Sequence, residues 1–457
     1  MQKITLKQFH DKYKLLVQSR KYREAKELLY ESSTDNSDAK DLVNRCRVDF
    51  NVAIGNLEEA KKELEKGEIK KLKSRSDYIL TCKVIRALAT SSVNDYERYE
   101  NELIDIFKKN LNDVEIIHEV CNYLSYRRYN EQANTLYKYG KNINKENTSL
   151  EYDYGRHLLS IGKINDGISK YKLRNNLPYF KSTITINSNE FIHANLIKEY
   201  ILINKELNVI GEQGIGDQVR ILYLVQSVAK KFKIKIKYYC DKRISEYYVS
   251  EHVEIYNIAD YKQGRCVLGF DLLELYKFDP NEIINYSNGI EMKIRTDIEI
   301  PNDSVGMVFS TITRSNYGQS IDAISPTLNE LIERKIFNNL EESKVFSLQY
   351  GFENFNLKYK NDLKVFHSKN LDYTNDWAAL FSITSQCQML IGPDSSQTII
   401  CSTSAKKTEM LSVKFEPLYL GLNTDPYIKG VKIIDLNKLR NYKINQRLIE
   451  IEKYIIK

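Results

Sequence analysis

LNVIGEQGIGDQVRILYLVQSVAK, residues 207–230, is the stretch from which the rest of the chain is read. Leu207 to Ile210 is a short, largely apolar run of the kind that makes a buried strand. GEQGIGD follows and sets Gly211, Gly214 and Gly216 in a tight loop. From Asp217 the spacing of Val219, Leu222, Tyr223, Val225 and Gln226 predicts a helix with one buried face. Strand, glycine loop and helix in that order begin a βαβ unit. Glycines let backbone approach a ligand, and the first N–H groups of the helix point at whatever sits above the loop. The pattern favours an anionic or strongly hydrogen-bonding ligand. The spacing G-x-x-G-x-G differs from the dinucleotide fingerprint G-x-G-x-x-G.

The 457 residues have room for two to four domains at roughly 150 residues each. With 42% hydrophobic and 28% charged residues, and only 7 prolines and 18 glycines, the composition is globular and argues against long disordered linkers. A net charge of +7 suits either a solvated lysine-rich surface or a phosphorylated ligand. The 7 cysteines are scattered, odd in number and without C-x-x-C spacing, so free buried thiols in a reducing compartment are expected. MQKITLKQFHDKYK lacks the apolar core of a signal peptide, and no window approaches the ~18 apolar residues of a membrane span. These features predict a cytoplasmic protein without a membrane span.

Residues 1–180 are nearly proline-free and helical in period. KYREAKELLYE (21–31), GNLEEAKKELEKG (55–67), RYNEQANTLYKYGK (128–141) and GKINDGISKYKLR (162–174) share a pattern. Each opens on a turn-like residue, then places Ala or Gly before apolar residues at helical spacing. Such units resemble the second helix of tetratricopeptide pairs, where a small residue lets helices approach closely. An ordinary helical bundle is the alternative. In 181–206, KSTITINSNE (181–190) alternates like an extended strand, and the segment reads as a connector.

From 207 to 300, KIKIKYYC (233–240), VEIYNIAD (253–260) and RCVLGFDLLELY (265–276) continue an α/β alternation. A second series fills 301–440. Its strands are SVGMVFS (304–310), KVFSLQYG (344–351), DLKVFH (362–367) and KTEMLSV (407–413). Its helices are SPTLNELIERKIF (325–337) and DWAALFSITSQC (376–387), and QMLIGPDSSQTIICSTSA (388–405) reads as strand, turn and helix. An amphipathic helix over 441–457 closes the chain. The alternation predicts two Rossmann-like lobes, each with a parallel sheet covered by helices. Ligands of such sheets sit outside the carboxyl ends of the strands, which brings GEQGIGD, STITRSNYGQS, SLQYG and GPDSSQT to the rim of one cleft.

Those four segments, in that order and behind helical repeats, resemble the heptosyltransferase-type (family 9) GT-B glycosyltransferases, especially bacterial proteins in which that domain follows tetratricopeptide repeats. The likeness covers roughly residues 150–415, and GEQGIGD is its most specific part. It implies an α/β GT-B fold preceded by an all-α tetratricopeptide-like region, with 207–300 as the acceptor-side lobe and 301–440 as the nucleotide-sugar lobe. It implies transfer of a sugar from a nucleotide-diphosphate donor, as co-substrate and with no other cofactor, to a protein or surface-glycan acceptor met by the helical repeats.

The resemblance makes Asp217 the general base and places Gln213, Gly214 and Gly216 at the substrate. A carboxylate in reach of the attacking hydroxyl can take its proton. The alternative role of Asp217 is an N-cap, for which Asp is favoured. Thr311, Thr313 and Arg314 match the loop that contacts the donor diphosphate; Arg314 is otherwise an exposed surface arginine. Gln349 and Glu353 fall where base and ribose are held. Asp394, Ser395 and Ser396 match the acid and hydroxyls of the family's Asp-Thr-x-x-x-His signature, but its histidine position holds Ile399. The family's second basic residue has no counterpart, since Tyr317 and Gln319 occupy that region.

Other chemistries have little support. His10, His118, His157, His193, His252 and His367 form neither H-x-x-x-H nor H-E-x-x-H, so no metal site is expected. Asp-x-Asp, G-x-S-x-G and the phosphate loop G-x-x-x-x-G-K-[ST] are absent from the sequence. No aromatic-basic motif of a nucleic-acid module is present. The rival to an enzyme is a scaffold of helical repeats and degenerate transferase lobes that binds other proteins.

Overall fold

A computed structural model describes residues 5–18, 21–31, 37–65, 74–91, 95–177, 186, 190–301, 304–308, 345–349, 365–366, 371–412, 417–435, 443 and 445–455. It divides into two units: residues 1–157 with 173–185 and 442–457, and residues 158–172 with 186–441.

The first unit is helical. α1 (Leu6–Gln18), α2 (Tyr22–Glu31), α3 (Ser37–Ala53), α4 (Leu57–Glu65), α5 (Arg75–Ser91), α6 (Tyr96–Lys108), α7 (Val114–Tyr126) and α8 (Asn130–Ile143) run in series, followed by most of α9 (Thr148–Ser160). Each of α1, α3, α5 and α7 packs on the helix that follows it, and these four also stack on one another. The small residues of the repeated pattern explain that closeness: Ala25, Ala60 and Ala133 are fully buried. A Cβ at Gly140 would lie 3.0 Å from both Ile117 and Leu150 side chains. α7 begins where the Asp113 carboxylate accepts the Glu115 N–H at 3.0 Å, satisfying a donor that the helix leaves open.

Polar contacts tie these helices. Lys83 on α5 pairs with Asp49 on α3 at 3.2 Å, Arg86 with Glu119 on α7 at 2.5 Å, and His118 on α7 with Asp153 on α9 at 2.7 Å. The expected single helix over 441–457 is instead two short helices, Gln446–Ile449 and Glu452–Ile455. Asn445 starts the first by accepting the Arg447 N–H, and its side chain also donates to Glu100 of α6 at 3.1 Å. That cap resets the chain within a stretch whose apolar period alone reads as continuous.

The second unit begins with the end of α9 and α10 (Ile164–Tyr171), where Gly167 lies close against Leu159. The connector expected over 181–206 is only partly irregular: the helix Ile197–Asn204 occupies its end, with Ile197 and Ile201 buried. Most of KSTITINSNE lies outside the described residues.

Strands β1 (Glu206–Ile210), β2 (Lys235–Cys240), β4 (Val253–Asn257) and β5 (Cys266–Leu268) form a parallel sheet in the order β4-β2-β1-β5. Val209 faces both Tyr238 and Val267 in register. A second parallel sheet has the order β12-β11-β10-β7-β8-β9. Its strands are β7 (Val305–Met307), β8 (Val345–Ser347), β9 (Val365–Phe366), β10 (Met389–Pro393), β11 (Thr408–Ser412) and β12 (Val431–Asp435). Between them in sequence, β3 (Tyr248–Ser250) and β6 (Ile290–Met292) make an antiparallel ribbon. The helix expected over 325–337 lies outside the described residues.

Both orders reverse direction once. The first sheet grows outward from β1 through β2 to β4, then returns to β1's other side with β5. The second grows from β7 to β9, then returns beside β7 with β10 and continues to β12. Each reversal opens a crevice at the carboxyl ends of adjacent strands, where neighbouring connections part to opposite faces.

The helix after the glycine loop, Ile215–Phe232, carries the packing between these sheets. Every residue from Val219 to Ala229 is buried, whereas its sequence period predicts a single buried face. A helix buried all round is covered on all sides. Here the coverage comes from the first sheet and the 3₁₀ turn Gly269–Tyr276 together with the Ser396–Ser402 helix of the second sheet.

Candidate functional site

The crevice of the first sheet is built from the ends of β1 and β5. Glu212, just past β1 and 2% exposed, accepts the Phe270 N–H at 2.8 Å, so one carboxylate joins the two strand ends. Gln213 then turns the chain through the left-handed region at φ 63°. Its amide donates to the Tyr171 hydroxyl at 2.6 Å. Gly214, extended at φ −78° and ψ 165°, is the N-cap of the Ile215–Phe232 helix.

This corrects the alternative role of Asp217. The helix starts two residues earlier than the sequence period suggests, and Asp217 is its third residue rather than its cap. Gly216 is the reason the start is hard to read. A glycine in a first turn looks like a continuing loop, but here it is required by contact. A Cβ at Gly216 would lie 2.9 Å from both the Ser396 Cα and the Ile399 Cδ1.

Ser395 and Ser396 come from the crevice of the second sheet, where Asp394 follows β10. The Ser395 hydroxyl accepts the Thr398 N–H at 3.2 Å and so caps the Ser396–Ser402 helix. Asp394 is held by its own N–H donating to the Leu411 carbonyl of β11 at 3.0 Å. Gln349, at the end of β8, is 1% exposed, with its N–H on the Ser347 hydroxyl at 3.3 Å. Thr311, Thr313, Arg314 and Glu353 lie outside the described residues.

Arg220 brings the two crevices together. It is the sixth residue of the Ile215–Phe232 helix, is 2% exposed, and has three carboxylates around it. Its Nε donates to Asp425 at 2.9 Å, its Nη2 lies 3.6 Å from Asp394, and its Nη1 lies 3.7 Å from Asp217. The guanidinium also lies over the Tyr419 ring, 5.1 Å from its centroid. Asp425 is fixed in turn by the N–H groups of Tyr427 and Ile428, at 2.9 and 3.1 Å. Burial works against the Arg220 charge, but Asp425, Asp394 and Asp217 outweigh it and hold its pKa well above the ordinary arginine value.

The arrangement is unbalanced. One buried cation faces Asp217, Asp394 and Asp425, and only Asp425 meets it at hydrogen-bond distance. Side-chain exposure follows the same order: Asp425 is 0% exposed, Asp394 16% and Asp217 26%. Asp425 therefore anchors the arginine, and the other two carboxylates keep an open side. Beside them the Tyr427 hydroxyl is buried and has no hydrogen-bond partner among the described residues. Burial, with Asp425 next, raises its pKa well above that of an ordinary tyrosine, so it stays protonated.

No family model, curated protein or solved structure matches this chain.

The residues expected at a site thus separate. Asp217 and Asp394 meet on one guanidinium, and Ser396 lies against Gly216. Gln213, Ser395 and Gln349 are engaged within the fold, and Ile399, 4% exposed, packs at Gly216. Sequence reading missed Arg220, Asp425, Tyr419 and Tyr427. A basic residue inside the glycine-loop helix was the available signal for Arg220. Asp425 lies in a turn, TDPY, with no motif around it.

The 7 cysteines are all free and buried. Among the described residues no group of His, Cys, Asp or Glu is arranged to hold a metal ion, and no helix is long and apolar enough to cross a membrane.

Proposed function

We propose that this chain is a metal-independent glycosyltransferase of the GT-B type. It takes a nucleotide-diphosphate sugar as donor and a protein or surface glycan, met by tetratricopeptide-like repeats, as acceptor. Use of a nucleotide-sugar pool makes the cytoplasm its place of action.

The observation that carries this reading is the meeting of Asp217 and Asp394 on Arg220. These acids come from the first helical turn after β1 of one parallel sheet and from the residue after β10 of another, each at a point where strand order reverses. In the resemblance they are the acceptor-side base and the donor-side acid.

The chemistry assigns each group a task. The Asp217 carboxylate takes the proton of the acceptor hydroxyl as its oxygen forms a bond to the anomeric carbon. The bond from that carbon to the diphosphate oxygen breaks, and the diphosphate leaves with the electron pair. Arg220, 3.7 Å from Asp217, is assigned the positioning of that carboxylate. Arg314 is assigned to the negative charge of the departing diphosphate.

Asp217→Asn tests the assignment. Loss of a positioned general base costs on the order of 10²–10⁴ in rate, while nucleoside diphosphate affinity stays close to wild type. Unchanged turnover would remove Asp217 from the chemistry.

A scaffold of degenerate lobes is the second reading, and Ile399 favours it. The resemblance places a histidine there, whereas this chain uses the position for apolar packing on Gly216. A fully active enzyme with a measurable donor preference would exclude the scaffold.

A further inference from the structure

The far end of the first sheet, at the amino ends of β1 and β2, carries a second set of chemistry-bearing residues. An open hollow of ≈ 700 Å³ is lined by Lys205, Lys230, Lys233, Lys235 and His252, and Glu206 is the acidic residue among its lining. Lys230 is engaged, donating to the Asn288 carbonyl at 3.3 Å. Lys205, Lys233 and Lys235 are exposed, and no ion pair or side-chain hydrogen bond holds them among the described residues.

The backbone holds these lysines together. Lys205 ends the Ile197–Asn204 helix at φ 57°, and Lys233 ends the Ile215–Phe232 helix at φ 51°. Both occupy the left-handed position where glycine is the usual and less strained choice. The Lys235 N–H donates to the Lys205 carbonyl at 3.0 Å, which locks the starts of the two strands side by side. The partial negative charge at a helix C-terminus accounts for a lysine after each helix. It does not account for Lys235, nor for what lies next to the cluster.

In the last turn of the helix that Lys205 ends, Leu202 is 50% exposed and Ile203 is 70% exposed. Large aliphatic side chains this open, beside ammonium groups without acidic partners, fit an environment that is anionic at its surface and apolar just beneath it. We propose that this end of the first sheet docks on an anionic lipid bilayer, with Leu202 and Ile203 entering the headgroup boundary and Lys205, Lys233 and Lys235 facing lipid phosphates. Charge complementarity and the adjacent aliphatic pair together specify the occupant: a free phosphate or a nucleic acid uses the lysines but has no use for Leu202 and Ile203. The inference is independent of the proposed transferase activity, since no residue of the cluster belongs to that site.

Co-sedimentation of the full chain with phosphatidylcholine vesicles, with and without 30% phosphatidylglycerol, tests it. The expected result is binding only to the anionic vesicles, weakened as salt shortens the range of the attraction. Lys205→Glu, Lys233→Glu and Lys235→Glu together remove binding by on the order of a hundredfold or more, at roughly fivefold per lysine lost. Ile203→Asp also weakens binding severalfold while leaving every lysine in place. Far-ultraviolet circular dichroism of each variant confirms that these exposed substitutions leave the fold intact. Absence of binding to anionic vesicles overturns the proposal, and so does wild-type binding by the triple variant. Binding that inorganic phosphate abolishes and Ile203→Asp leaves unchanged also overturns it, identifying a free-anion site instead. Dimerisation lost in Ile203→Asp, without vesicle binding, overturns it in favour of a contact between copies.

Discussion

The two units handle charge in opposite ways. In the helical unit, cation and carboxylate meet across neighbouring helices close to one for one: Lys83 with Asp49, Arg86 with Glu119, His118 with Asp153. These pairs are largely buried and join neighbouring helices. In the α/β unit a single buried Arg220 faces Asp217, Asp394 and Asp425. Paired charges distributed along a stack serve to hold its helices together. In that cluster three carboxylates surround one buried cation, and Asp217 and Asp394 are the two that remain partly exposed. That difference marks the α/β cluster as the place where chemistry is to be sought.

The comparison breaks first at Arg220. Arg220→Met leaves Asp425 buried without its partner, and the expected loss is about 3–5 kcal/mol in urea unfolding of the α/β unit. A loss below about 1 kcal/mol would mean that the guanidinium does not hold the cluster together. Gly216→Val comes next. Its side chain must enter space occupied by Ser396 and Ile399, and overpacking of this kind costs about 1–3 kcal/mol. If unfolding is unchanged, the close approach of the two helices is not what fixes a glycine there.

His118 sharpens the other side. Burial opposes its charge, but the Asp153 hydrogen bond and charge prevail and raise its pKa above 6.5, while Asp153 is held below 3.8 chiefly by His118 against its own burial. The histidine's contribution is therefore fully present below pH 6.5 and lost as pH rises through its elevated folded value. The aspartate's is present above pH 3.8 and lost as pH falls through its depressed value. Stability measured against pH should show wild type exceeding His118→Gln by about 1.5 kcal/mol near pH 5–6. The gap should narrow toward pH 8. A gap independent of pH would make the contact a packing effect.

Much of this architecture is legible from the chain. The run LNVI before GEQGIGD, Asp376 ahead of WAALFSITSQ and the GPDSSQT turn each announce an element by local chemistry. Asp376 caps that helix, its carboxylate accepting the Ala379 N–H at 3.0 Å. What escapes is decided by contacts distant in sequence. Arg220 sits in a helix whose burial on every side erases the period that would set a functional residue apart. Gly216 looks like a loop residue until Ser396, far along the chain, is brought against it. Asp425 has no local motif, and its role comes from the arginine and two N–H groups that reach it. VKIID at 431–435 alternates like a strand, yet only the second sheet establishes it as the edge strand β12.

The proposed transferase function requires the crevices joined by Arg220 to hold a nucleotide-linked sugar. Thermal unfolding of the full chain in the presence of uridine, guanosine, adenosine, cytidine and thymidine diphosphates tests this most directly. The expected result is a concentration-dependent rise in Tm with at least one of them, about 2.7 kcal/mol of added stability at a ligand concentration one hundred times Kd, lost or reduced in Asp394→Ala. No shift with any of the five would contradict it.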